Sequence, residues 1–176
     1  MSDFIKYILR FGLLLLIQHF VLYQIPPLHH TAIPILYFLF ILWLPFKTGR
    51  AALLMISFFL GMAMDFFTKT PGMHAFAAVL IGYLRPFLIS LLLPQEGVDF
   101  NYKEPSAQSM GIIPYISFVA ILTLAHHICL FSIQSFQFGD VFYLITKTSI
   151  SVLISLVLIL IVELISHRKQ KFLTNT

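Results

Sequence analysis

A stretch without a single charged side chain runs from Phe11 to Phe46, and it constrains the fold more than any other feature of this sequence. As one straight helix its 36 residues would be about 54 Å long, whereas the hydrocarbon core of a bilayer is about 30 Å thick. The chain must therefore turn back within this stretch. A turn is predicted near Pro26 and Pro27, because proline has no backbone N–H and disfavours helix in the residue before it. The pattern indicates a chain that crosses a membrane more than once.

The composition of the whole chain supports the same conclusion. Hydrophobic residues make up 59% of the 176 residues and charged residues only 10%. A water-soluble domain of this size could not cover so many apolar side chains. These numbers exclude a soluble enzyme, a disordered tail and a nucleic-acid binder. The apolar runs are continuous rather than alternating, which favours an all-α membrane protein over a β-barrel.

The apolar runs predict a polytopic integral membrane protein with six transmembrane helices in a single domain, residues 1–176. The predicted spans are 4–24, 31–45, 51–67, 73–93, 110–133 and 141–165. Residues 94–109 carry three of the seven acidic residues and two prolines, which predicts a solvated loop. The other connections are predicted to be short turns.

The basic residues indicate how the chain is oriented, because cytoplasmic loops retain Lys and Arg. One side holds eight of them: Lys6, Arg10, Lys47, Arg50, Lys103, Arg168, Lys169 and Lys171. The other side holds only Lys69. The asymmetry predicts that both termini are cytoplasmic.

Four ionisable side chains fall within the predicted spans, namely Asp65, Arg85, Lys147 and Glu163. A charge at the centre of a span costs about 2.5 to 3.5 kcal/mol, so each is a candidate site. Lys147 and Glu163 lie near span ends, where we expect their side chains to reach an interface. Arg85 precedes Pro86, and we expect a kink there at which Arg85 meets a neighbouring helix or a partner.

Small and polar residues line one face of the third span and one face of the fourth. In the third span Ser57, Gly61 and Asp65 recur every four residues and share a helix face. In the fourth span the corresponding stripe consists of His74, Ala78, Gly82 and Arg85. Small residues allow two helices to approach closely, so we expect a tight hairpin across the turn that contains Pro71 and Gly72. Asp65 and His74 should lie at the same depth, with Asp65 too far from Arg85 to pair with it.

No pattern typical of catalysis or of cofactor or metal binding is present. The pairs His29-His30 and His126-His127 are adjacent residues, which point about 100° apart on a helix, and no HExxH motif or Cys/His cluster accompanies them. Cys129 is the only cysteine and has no polar motif around it. The sequence therefore predicts no catalytic residue, no cofactor and no metal.

The segment from Gly61 to Leu84 resembles the central signature of MreD, a family of rod shape-determining proteins. That family has a Gly, an Asp, a turn containing Gly and a helix of small residues that ends in Gly-Tyr-Leu. The motif positions correspond here to Gly61, Asp65, Gly72 and Gly82. The length, the six spans and the basic C-terminus are also similar.

The resemblance implies a non-enzymatic scaffold in the bacterial inner membrane that belongs to the cell-wall elongation complex. Such a subunit would bind MreC directly. Through MreC it would act with the MreB filament, the glycosyltransferase RodA and a penicillin-binding transpeptidase. The loop at 94–109 and the Arg85-Pro86 pair lie outside the family pattern.

A second interpretation is a substrate-binding membrane subunit of a vitamin-type transporter, since MreD looks similar in architecture to the six-span capture components of such transporters. Those components typically dock through an Ala-x3-Ala stripe on the first span. The first span here has no such stripe. We also expect few polar side chains to converge at the outer ends of the helices, where a vitamin would have to be oriented.

Overall fold

The computed structural model describes residues 3–25, 32–93, 102–135 and 141–166. The regular secondary structure of these residues is helical, and no strand is present among them. The helices are α1 (Asp3–Leu16), α2 (Leu39–Leu42), α3 (Arg50–Thr68), α4 (Met73–Leu92), α5 (Ala107–Met110), α6 (Ile112–Ser135) and α7 (Val141–Ile165). The predicted turn with His29-His30, the first part of the 94–109 loop and the basic tail at 168–171 lie outside the described residues.

Five helical stretches of the described chain are long and apolar enough to cross a membrane. They are Phe4–Gln24, Arg50–Thr68, Met73–Leu92, Ile112–Ser135 and Val141–Ile165. Their limits agree with five of the six predicted spans, because each apolar run is bounded by residues that favour turns. The structure is that of a multi-pass membrane protein.

The second predicted span, 31–45, is not a membrane-length helix. Residues 32–36 have no regular secondary structure, and only Leu39–Leu42 form a helical turn. Pro34 and Pro45 account for this, since neither can donate a backbone hydrogen bond. The segment is nevertheless the longest continuously buried part of the described chain, with residues 35–44 all buried.

Gln18 forms hydrogen bonds with backbone N–H and carbonyl groups of this irregular segment. Its Oε1 accepts the backbone N–H of Leu36 at 2.6 Å and of Tyr37 at 3.3 Å, and its Nε2 donates to the Pro34 carbonyl at 3.0 Å. Gln18 lies in a π-helical stretch, Ile17–Val21, which continues α1 and leads into a 3₁₀ turn at Leu22–Gln24. Non-helical backbone is tolerated at membrane depth only where protein groups replace water as partners.

Two serines of α7 support the same segment from its other side. The hydroxyl oxygen of Ser151 accepts the backbone N–H of Ile33 at 3.0 Å, and that of Ser155 accepts the N–H of Ile35 at 2.9 Å. The segment is therefore held between α1 and α7. It occupies the centre of the bundle instead of a position at its edge.

The described part of the 94–109 loop is packed against the bundle, which corrects the prediction of a solvated loop. Glu104 is buried and accepts hydrogen bonds from Tyr7 Oη and Arg10 Nη1, both at 2.9 Å. Ser106 and Ser109 form a reciprocal capping box at the start of α5. Paired to Arg10, a carboxylate can be buried where an isolated one could not.

The bundle has two ends that are distinguished by their contacts. At one end, which we call the turn end, the 68–72 turn lies near the π-helical and 3₁₀ stretches that follow α1. There His19 stacks on Phe67 with ring centres 5.0 Å apart, and Tyr23 Oη lies 3.1 Å from His74 Nε2. At the opposite end, Arg10 pairs with Glu104.

Candidate functional site

The Asp65 carboxylate, near the end of α3, organises the turn end. It accepts three backbone N–H groups at 2.9 to 3.0 Å, those of Gly72, His74 and Ala75. Each belongs to the first residues of α4, whose N–H groups have no partner within their own helix. Gly72 itself adopts φ +86°, a left-handed conformation that favours glycine. Asp65 therefore caps the following helix from the preceding one.

Two side chains also form hydrogen bonds with the Asp65 carboxylate. Thr70 Oγ1 donates to Asp65 Oδ1 at 3.2 Å, and His74 Nδ1 lies 2.9 Å from that oxygen. Because Nδ1 faces a carboxylate, it carries the proton, and the Nε2 of His74 accepts from Tyr23 Oη in the neutral ring. Together the five donors around Asp65 hold the carboxylate in place.

A second polar chain lies deeper between the irregular segment and α6. Tyr37 Oη lies 2.8 Å from His126 Nε2, and both residues are buried. His127 donates through Nδ1 to the Thr123 carbonyl at 2.8 Å, and its Nε2 lies 3.1 Å from Ser155 Oγ. The adjacent histidines thus have separate partners. Within the described residues, no group of three or more potential metal ligands is present.

A cavity of about 340 Å³ lies at the turn end, next to the residues that contact Asp65. The side chains of six polar residues line it: His19, Tyr23, Thr68, Thr70, His74 and Gln134. The rest of its wall is apolar, formed by Ile33, Ile35, Met73, Leu130 and Phe131. The prediction that few polar groups converge at this end is therefore wrong, because residues far apart in the chain meet there.

Lys147 of α7 contacts two residues that line the cavity, Gln134 and Phe131. That its ammonium group reaches an interface stays a prediction. Lys147 is buried, and its Nζ donates to Gln134 Oε1 at 2.6 Å. The same Nζ lies 4.7 Å from the centre of the Phe131 ring. The aromatic face and the amide replace part of the water that the ammonium group loses on burial. Glu163, in contrast, accepts from Tyr115 Oη at 2.9 Å near the other end of α7.

The glycines of the predicted hairpin lie where α3 and α4 touch. A Cβ on Gly61 would fall within 2.6 Å of the His74 carbonyl oxygen and would overlap the backbone of Ala75. A Cβ on Gly82 would meet the side chain of Ser57. Ala78 is fully buried in the same contact region. Helices α3 and α4 form the most extensive contact between described helices, which agrees with the expected tight pair.

Arg85 lies away from this cluster, as its position in the helix predicted. Its guanidinium is buried and donates through Nη2 to the carbonyl oxygen of Leu44. A longer contact of 3.5 Å reaches the Pro45 carbonyl. Arg85 therefore ties α4 to the end of the irregular segment. Helix α4 continues through Pro86 without interruption.

Of the residues singled out from the sequence, Asp65, Gly72 and His74 come together at the turn end. Gly61, Ser57, Ala78 and Gly82 line the helix contact, Pro71 lies exposed in the turn, and Arg85 lies elsewhere. Four further polar residues of these clusters were not predicted from the sequence: Gln18, Tyr23, Tyr37 and Gln134. One signal was available: Gln18 is an amide within an apolar span, and such a group needs a partner.

The chain matches no protein-family model, no curated protein and no solved structure.

Proposed function

We propose that this protein is a non-enzymatic scaffold subunit of the bacterial cell-wall elongation complex, located in the inner membrane and binding MreC. The observation that carries the proposal is the way the Asp65 carboxylate is used. All its hydrogen bonds serve to join α3 to the first turn of α4. A carboxylate so fully engaged fixes a shape and has no free position for proton transfer.

The MreD-like segment supports the proposal because its residues form that same hairpin. Gly61 and Gly82 allow the close approach of the two helices, and Gly72 provides the turn. A partner protein can bind to a rigid hairpin because its surface keeps one shape. Catalysis, in contrast, requires reactive side chains within reach of one another. The remaining partners, MreB, RodA and a penicillin-binding transpeptidase, would be reached through MreC.

The proposal includes six membrane crossings with both termini in the cytoplasm. The buried segment at 32–45 provides the crossing that is not a long helix. It runs antiparallel to the first helix: Gln18 contacts Leu36, and eight residues earlier Arg10 lies over the ring of Trp43. With this crossing counted, α3 starts at the same side as α1, and the basic residues gather on that side.

Depletion and complementation test the scaffold role. Depletion of the protein in its native cells should convert rods into round cells, and affinity purification from native membranes should recover MreC. Asp65→Leu should abolish both shape rescue and MreC recovery, while Phe66→Leu, at the exposed neighbouring position, should preserve them. Rod-shaped depleted cells, or purification without MreC, would contradict the proposal.

One observation favours a second candidate, a substrate-binding subunit of a vitamin-type transporter. The turn-end cavity has a volume of about 340 Å³, within the range of small-molecule sites, which starts at about 300 Å³. Under this alternative, depleted cells would stay rod-shaped. The purified protein would bind a vitamin with submicromolar affinity, worth more than about 8 kcal/mol.

A further inference from the structure

Lys147 is a buried cation that has no counter-anion among the described residues. Its ammonium group makes one hydrogen bond, to Gln134 Oε1, and contacts the Phe131 ring. Among the described residues, no carboxylate lies within ion-pair distance of it. Two of its three N–H donors therefore have no oxygen partner within the part of the chain that the structure describes.

An uncompensated charge is expensive inside a membrane domain, where a partner of opposite sign is the usual arrangement. The scaffold function does not require this arrangement, because a methionine or leucine would fill the same space. The two residues that hold the ammonium group, Gln134 and Phe131, both line the turn-end cavity. Lys147 itself does not line the cavity, so its charge lies behind these two side chains.

We propose that the turn-end cavity binds an anionic group, a carboxylate or a phosphate, next to Lys147. Gln134 uses its Oε1 for the lysine, so its Nε2 hydrogens remain to donate to the same anion. The apolar wall of Ile33, Ile35 and Leu130 accommodates a small hydrophobic body attached to that group. The site goes beyond the proposed scaffold function and does not depend on it.

Among the described residues, Asp65 is the one acidic group near this cavity, and its charge does not prevent anion binding. Its two oxygens already accept five hydrogen bonds, three of them from the positive end of α4. These donors offset its negative charge. The hydroxyl groups of Tyr23, Thr68 and Thr70 also line the cavity. Their hydrogens are donated to His74 Nε2, the Met64 carbonyl and Asp65 Oδ1, so the N–H groups of Gln134 are the donors left for the anion.

The anion has two candidate sources, a soluble organic anion or the headgroup of an anionic lipid. Full-length protein in nanodiscs distinguishes them. In discs of phosphatidylcholine, phenyl phosphate should raise the melting temperature, while neutral benzyl alcohol should not. In discs that also contain phosphatidylglycerol, native mass spectrometry should detect one retained phosphatidylglycerol if the source is lipid. Binding of neither anion would overturn the proposal.

Variants connect the binding to the lysine. Lys147→Gln should weaken anion binding roughly tenfold, equivalent to ~1.4 kcal/mol. Lys69→Gln makes the same charge change at an exposed position of the same end, and it should leave binding unaltered. Should Lys147→Gln fail to fold, Gln134→Leu retains the cation and should weaken binding by itself. Binding unchanged in the folded variant, or weakened equally by Lys69→Gln, would refute the site.

Discussion

Asp65 and His74 are joined twice: Asp65 Oδ1 lies 2.9 Å from the backbone nitrogen of His74 and 2.9 Å from its Nδ1. One contact fixes the start of α4, and the other fixes the orientation of the imidazole ring. The ring in turn reaches Tyr23 on the last turn of the first span. A single carboxylate thus connects three membrane segments.

Replacement of Asp65 should destabilise the protein in the order Leu more than Asn. An amide keeps one accepting oxygen but turns its NH₂ group toward backbone N–H donors, and each buried donor left without a partner costs about 1 to 3 kcal/mol. Leucine removes every acceptor. Thermal unfolding in detergent measures the order, with Phe66→Leu as the exposed control. An Asp65→Leu protein as stable as wild type would show that the capping role is wrong.

Alanine substitution should distinguish the glycines by their surroundings. Gly61→Ala brings a methyl group against the backbone of Ala75, which cannot rotate away, so a loss of about 1 to 3 kcal/mol is expected. Gly82→Ala meets the side chain of Ser57, which can adopt another rotamer, and should cost less. Melting temperatures report the ranking.

Gly12→Ala provides the matched control for the glycine series. Nothing lies within 4 Å of the added methyl group at this position. Alanine also has the better helix propensity, by about 1 kcal/mol. The variant should be as stable as wild type or slightly more so, and a loss as large as that of Gly61→Ala would rule out close packing as the explanation.

Gln18→Leu should loosen the irregular segment. The change keeps the approximate size of the side chain but leaves the N–H of Leu36 and the carbonyl of Pro34 without their partner. At about 1 to 3 kcal/mol for each group, the variant should melt well below wild type and exchange amide hydrogens faster around residue 36. Gln24→Leu, at an exposed position of the same span, should do neither.

Reporter fusions should establish the orientation. A phosphatase domain fused after Lys69, in the turn between α3 and α4, should be active, because the turn end is proposed to face away from the cytoplasm. The same domain fused after Thr176 should be inactive. The reverse pattern would show the opposite orientation. Activity at both positions would require an even number of crossings between Lys69 and Thr176, whereas the proposal has three.

The sequence by itself determined the five long helices and the tight α3–α4 pair. Continuous apolar runs of membrane length and glycines at helical spacing are local signals, and local hydrogen bonding is all that a lipid-exposed helix requires. The proximity of Asp65 to His74 followed from the shortness of the turn between them. These features involve residues close together in the chain.

Tertiary structure alone decided the conformation of residues 32–45 and the composition of the cavity. An apolar run with prolines can cross as a kinked helix or as an irregular segment, and the choice depends on whether distant groups such as Gln18 and Ser155 satisfy its backbone. The meeting of Tyr23, His74 and Gln134 likewise requires the packing of helices far apart in sequence. Hydropathy records how much of a segment is apolar, but it contains no information on which side chain faces which neighbour.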